Sequence, residues 1–168
     1  MVVPRFIEWA MKGEPIRVYG DGQQSRCFGN VLDVIDAIQR LANTPEAVGQ
    51  VFNIGSGEEI SILQLAERVI KRTNSTSQIQ LIPYEEAYEP GFEDFRRRVP
   101  STEKINRATG WTPTTSLDTT IDQMIAYFKE NGYTQTPGKL FWKKDGESPF
   151  HIFINADKQS ISITDAQN

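Results

Sequence analysis

The sequence predicts an α/β fold with some parallel strand pairing, and two observations predict it. Stretches with apolar residues three or four apart alternate with short apolar runs, several closed by glycine, in the order helix, strand, helix, strand, helix, strand, helix, helix. Of the 168 residues, 38% are hydrophobic and 24% charged, an ordinary globular balance with enough chain for a real core.

Each element has a local reason. VPRFIEWAMKGEP (3–15) reads as a short helix, because Pro4 suits a first turn and Val3, Ile7, Ala10 and Met11 share a face; Gly13 and Pro15 end it. IRVYG (16–20) is a strand closed by a Gly-Asp-Gly turn. NVLDVIDAIQRLAN (30–43) is a helix with Val34, Ile38 and Leu41 on its buried stripe and Asp33 as a helix-start residue. VFNIGSG (51–57) is a short apolar strand running into a glycine turn. SILQLAERVIKRTN (61–74) is a second helix. Ser61 and Gln64 form a capping box at its start, and Ile62, Leu65, Val69 and Ile70 make its apolar face. IQLIPY (79–84) is another strand. An acidic loop then runs into Arg96, Arg97 and Arg98, where the acids suggest surface pairing of some of the arginines. STEKINRATGW (101–111) is a short helix stopped at Gly110, with Trp111 and Pro113 as a packing corner. SLDTTIDQMIAYFKENG (116–132) is the last clear helix, with Leu117, Ile121, Ile125 and Phe128 inward. Beyond it, 139–164 shows three strand-like runs, read as a small β-meander tail, so the expected division is 1–130 and 131–168.

Composition excludes several function classes. A net charge of −4 argues against a nucleic-acid binder held by phosphate contacts. No stretch approaches the ~20 apolar residues of a membrane span, and the start does not read as a signal peptide. Cys27 is the only cysteine, so no internal disulfide is possible and a cytoplasmic setting is expected. His151 is the only histidine, and with Cys27 it cannot assemble a zinc site. It reads as a plain strand residue of the tail, Cys27 reads as a small core residue, and Trp9 as either core or a dimer contact.

Two motifs carry chemistry. VYGDGQQSRCF (18–28) sets Arg26 just past a tight turn. A guanidinium offers a planar fork of donors that matches phosphate oxygens, and a glycine turn lets backbone approach a ligand closely. The run VFNIGSGEEIS (51–61) imitates the start of a dinucleotide-binding loop. Against that reading, Ile60 stands where a small residue is needed, Ser61 already caps the helix, and no acidic residue closes the next strand. A structural turn is the expectation.

VVPRFIEWAMKGEPIRVYGDGQQSRCFGNVLDVIDAI, followed by GQVFNIGSGEEISILQLAERVI and by AYEPGFEDFRRRVPSTEKINRATGWTPTTSLDTTI, closely resembles the C-terminal part of the extended short-chain dehydrogenase/reductases, the NAD-dependent nucleotide-sugar epimerases and dehydratases. The resemblance runs from about residue 1 to 130. It implies the substrate-binding part of an extended Rossmann-type fold, with Met1 falling inside the longer family pattern. The family's Gly-rich NAD loop and its Tyr-x-x-x-Lys pair are absent. Tyr19, Tyr84, Tyr88, Tyr127 and Tyr133 are followed at that spacing by Gln23, Tyr88, Phe92, Asn131 and Pro137.

What the resemblance implies for the site follows residue by residue. Arg26 would reach the diphosphate of a nucleotide sugar, a UDP-sugar by the closeness to UDP-glucose 4-epimerase. Val18 and Tyr19 would lie along base and ribose. Arg97, or Arg98 in the neighbouring register, would close on the diphosphate or ribose. Ser101, Cys27 and Asn30 stand at positions the family varies and leave the sugar open. The resemblance further implies NAD as cofactor of a complete, possibly homodimeric enzyme, with none expected on this chain alone, and no nucleic-acid or membrane partner. The alternative is a free-standing, non-catalytic nucleotide-sugar binding or regulatory module.

Overall fold

Proline in a first turn lacks only an amide that has no partner there, and the chain duly begins with helix α1, Val2–Lys12. The structure, a computed structural model, describes residues 2–87, 89, 94–131, 150–155 and 160–165. It forms two compact units, Met1–Tyr127 and Phe128–Asn168. The α/β fold expected from the alternation is present.

On α1, Val3, Phe6, Ile7 and Ala10 are buried; Met11, expected inward, is exposed, and the inward face is completed by Phe6, one turn before Ala10. Gly13, in the left-handed region at φ +69°, ends the helix. Strand β1, Ile16–Tyr19, pairs in parallel with a later strand, Ile79–Ile82, from Ile16 opposite Ile79 to Tyr19 opposite Ile82. Ile16 and Val18 are fully buried, so Arg17 and Tyr19 share the other face. The Gly-Asp-Gly turn needs its glycines: Gly20 and Gly22 sit at φ +67° and +69°, the Tyr84 ring lies against Gly20, and a Cβ on Gly22 would come within 2.8 Å of Val18 Cγ1.

After the turn the chain forms β2, Ser25–Cys27, the centre of a three-stranded sheet. β3, Glu59–Ser61, pairs antiparallel on one side with Arg26 opposite Ile60. The strand that will be β5, Arg97–Arg98, pairs in parallel on the other with Arg26 opposite Arg98. VFNIGSG (51–57), read above as a strand, is irregular, and pairing starts only at Glu59. Within it Gly55 lies so near Pro100 that a Cβ would come within 2.9 Å of its ring. Phe52 and Ile54 pack instead against the buried cluster of Ala37, Ile105 and Trp111.

Helix α2, Val31–Ala42, departs from its expected orientation. Its N-cap is Asn30, whose side chain accepts from the Leu32 amide at 2.9 Å. Val34 and Leu41 are half-buried as the stripe predicts in part, but Ile38 faces solvent. The fully inward positions are Asp33 and Ala37. Asp33 does not cap the helix. Its carboxylate accepts from the backbone amides of Thr114 (3.2 Å) and Thr115 (2.9 Å) and from both their hydroxyls (3.0 and 3.1 Å). Its carbonyl accepts from the Trp111 indole at 3.1 Å. Burial acts to raise the Asp33 carboxyl, but these donors outweigh it and hold it below its ordinary value. The large side chains of α2, namely Val31, Leu32, Ile35 and Ile38, are left between 45% and 66% exposed.

Helix α3, Ile62–Thr73, has the expected capping box and buries Ile62, Leu65, Ala66 and Val69. β4 is Ile79–Ile82 and α4 is the single turn Tyr84–Ala87. α5, Glu103–Thr109, stops at Gly110 with φ +68°, as its sequence indicates. α6, Leu117–Asn131, buries Leu117, Ile121, Ile125 and Phe128. Trp111 is the packing corner expected, almost wholly enclosed. In the second unit, β6 (Phe150–Asn155) and β7 (Ser160–Asp165) form an antiparallel hairpin, with His151 opposite Thr164 in the strand expected of it. The third run of the expected meander, 139–143, lies outside the described residues. Among the described residues no helix is long and apolar enough to cross a membrane, and no cluster of three or more His, Cys, Asp or Glu side chains could hold a metal.

Two outcomes follow from α2. Replacing Asp33 with alanine strands two amides and two hydroxyls beside a buried gap, and should cost about 2–3 kcal/mol, lowering Tm by roughly 4–12 °C. A carboxyl held below its ordinary value stabilises the fold above that value, and the stabilisation is lost as pH falls through the folded-state value. The parent should therefore lose more stability than Asp33→Asn between about pH 5 and about pH 2 in denaturant titrations. The second outcome concerns the exposed stripe. Ile35→Lys with Ile38→Lys should reduce self-association in light scattering while changing stability by about 0.5 kcal/mol or less per site. Unfolding of that double variant would show that these side chains are not exposed.

A cationic cavity between α1 and the glycine turn

The face of β1 that carries Arg17 and Tyr19 opens onto a cavity of about 430 Å³. α1 supplies one wall with Val2, Arg5, Phe6 and Trp9. Gln24, Arg26, Cys27 and Phe28, from β2 and its flanks, line it too, as do Tyr84 and Asp94. Helical spacing explains the first group: Arg5 and Trp9 are one turn apart, and Phe6 stacks on Trp9 at 6.1 Å. Strand alternation explains Arg17 and Tyr19. Trp9 is thus half-buried and part of the cavity wall rather than of the core.

Arg26 is aimed by β2 rather than by the turn alone. One of its Nη atoms donates to the carbonyls of Ser25 (2.7 Å) and Phe95 (2.8 Å), and the other to Asp94 Oδ1 (2.7 Å). The ion pair is mostly shielded from solvent. Cys27, read above as a small core residue, is a half-buried wall of the cavity. Burial pushes its thiol up from the ordinary value and the Glu59 carboxylate adds to this, so it is not an activated nucleophile.

Of the candidate residues, Tyr19 and Arg26 meet in this cavity. Val18 lies in the core on the opposite face of β1. Arg97 makes a two-pronged pair with Glu59, at 3.0 Å from Nε and 2.9 Å from Nη2, on the exposed side of the sheet. Arg98 stacks over the Phe95 ring at 4.5 Å. Arg96 pairs with Asp21 of the glycine turn at 2.7 Å. Among the described residues, the acidic partners of Arg96 and Arg97 are therefore Asp21 and Glu59 rather than members of the adjoining acidic loop. Sequence reasoning missed Arg5, Trp9, Arg17 and Gln24. The signals were the i, i+4 spacing on α1 and the alternation of β1, but only the packing of α1 beside β1 turns them into one wall.

The residues present do not fit a dinucleotide at 55–57. Gly55 is closed off by Pro100, and the α3 amides at that point are engaged by Ser61 and Gln64, with Gln64 N donating to Ser61 Oγ at 3.1 Å.

Comparison with known proteins places these features in a family. The chain is 38% identical over 130 residues to UDP-N-acetyl-alpha-D-glucosaminuronate decarboxylase of Bacillus cytotoxicus, covering 77% of this chain and 40% of that protein. It is 33% identical to UDP-glucuronic acid decarboxylase 1 of Danio rerio, over 76% of this chain and 28% of that protein. Among solved structures, UDP-glucose 4-epimerase from Thermotoga maritima, determined with UDP-glucose, superposes with a TM-score of 0.69 at 27% identity, over 77% of this chain and 40% of that chain. The chain thus spans about 40% or less of the length of these relatives. Residues 1–124 match the GDP-mannose 4,6 dehydratase family, so the chain with the Arg26 cavity belongs to that family of nucleotide-sugar enzymes.

Proposed function

We propose that this chain is the nucleotide-sugar-binding portion, and the C-terminal one, of an NAD-dependent epimerase, decarboxylase or dehydratase, and that a UDP-sugar occupies the cavity. The observation that carries this reading is the meeting of Tyr19 and Arg26 on one cavity beside an aromatic helix face. An aromatic wall suits a nucleobase and a guanidinium suits a diphosphate. The volume lies in the usual range for small-molecule pockets, about 300–1,000 Å³. The decarboxylases and the epimerase it resembles carry UDP-sugars in their names, which supports uridine over other nucleosides.

In this reading Arg26 exchanges Asp94 for the diphosphate. Arg97, the preferred second contact, leaves Glu59 to close on it, and Arg98 does so in the neighbouring register. NAD would supply the hydride transfer of the complete, cytoplasmic enzyme, held by residues outside this chain. The exposed apolar stripe of α2 favours a portion of a larger fold over a free-standing module, since a lone domain rarely leaves four neighbouring large side chains uncovered.

Two measurements test the reading. The purified chain should show no turnover of UDP-glucose or UDP-glucuronate with NAD; clear turnover free of host epimerase would overturn it. Calorimetric titration of the chain with UDP should show a cost of roughly 1.5–3 kcal/mol for Arg26→Ala, about ten- to a hundred-fold in affinity. Arg26→Lys should recover only part of it, Arg97→Ala should cost less, and Asp94→Asn should bind UDP more tightly than the parent. If Arg26→Ala binds UDP as tightly as the parent, the arginine serves only the ladder between β2 and β5.

A further inference from the structure

We draw no further inference here: the strongest candidate, the exposed apolar face that Val31, Leu32, Ile35 and Ile38 form on α2, already serves the reading of the chain as a portion of a larger fold, and nothing in the structure shows what covers it.

Discussion

The buried Asp33 carboxylate organises the first unit. Two oxygens shielded from water take four hydrogen bonds, all from Thr114 and Thr115, and the same residue's carbonyl takes the Trp111 indole. A buried charge is tolerable only when it is hydrogen-bonded this fully. The network locks the segment between α5 and α6 onto the first turn of α2. Trp111 then closes over Ala37 and Ile105. Because Asp33 and Ala37 occupy the inward face of α2, its larger apolar residues must turn outward. The exposed stripe is thus a consequence of the carboxylate's need for donors, and the small Ala37 is what lets the Trp111 cluster approach the helix.

The cavity depends on a second constraint, the placement of β2. The strand is three residues long, yet it is held on both edges, by β3 and by β5. Its middle residue is Arg26, so two ladders fix the backbone from which the guanidinium projects. Gly20 and Gly22 allow the chain to double back from β1 into β2, with Tyr84 packed where a side chain would otherwise stand. Tyr19 and Arg26 therefore converge from two different sheets, and α1 covers the gap between them.

Much of this was legible in the sequence, and the pattern of success is physical. Five of the helices show because apolar residues recur at helical spacing, and their ends show because Ser61, Gly13 and Gly110 satisfy or terminate backbone groups locally, whereas the single turn α4 carries no stripe to show. β1 and β4 show because three of four residues in each are apolar or aromatic and a turn residue closes the run. β2, β3 and β5 do not, since two or three residues carry no period and their stability comes from partners 30 or more positions away, as Arg26 opposite Ile60 and Arg98 illustrates. The inward face of α2 was misassigned for a related reason: hydrophobicity ranks Ile38 above Asp33, and only the distant threonines reverse the order. Arg26 was legible because a turn announces it. Arg5, Trp9, Arg17 and Gln24 each look ordinary until α1 and β1 lie side by side.

The charges around Arg26 give the ligand reading a definite form. A chain of net charge −4 lines one cavity with three arginines and one aspartate, an excess of positive charge against the trend of the whole molecule. Such a concentration costs self-repulsion and desolvation, which an anionic ligand would relieve. Asp94 relieves it only for Arg26. It does so from a stretch, 94–95, that belongs to no helix or strand and leads straight into β5. A diphosphate arriving at Arg26 would meet that carboxylate as a like charge. In the proposed reading the ligand must therefore displace Asp94, and the displaced stretch carries Phe95, whose carbonyl also holds Arg26 and whose ring supports Arg98. Occupancy of the cavity and the position of the arginine run are then coupled through one short segment, which is how a residue as exposed as Arg97 could come to close on a ligand that Arg26 binds first.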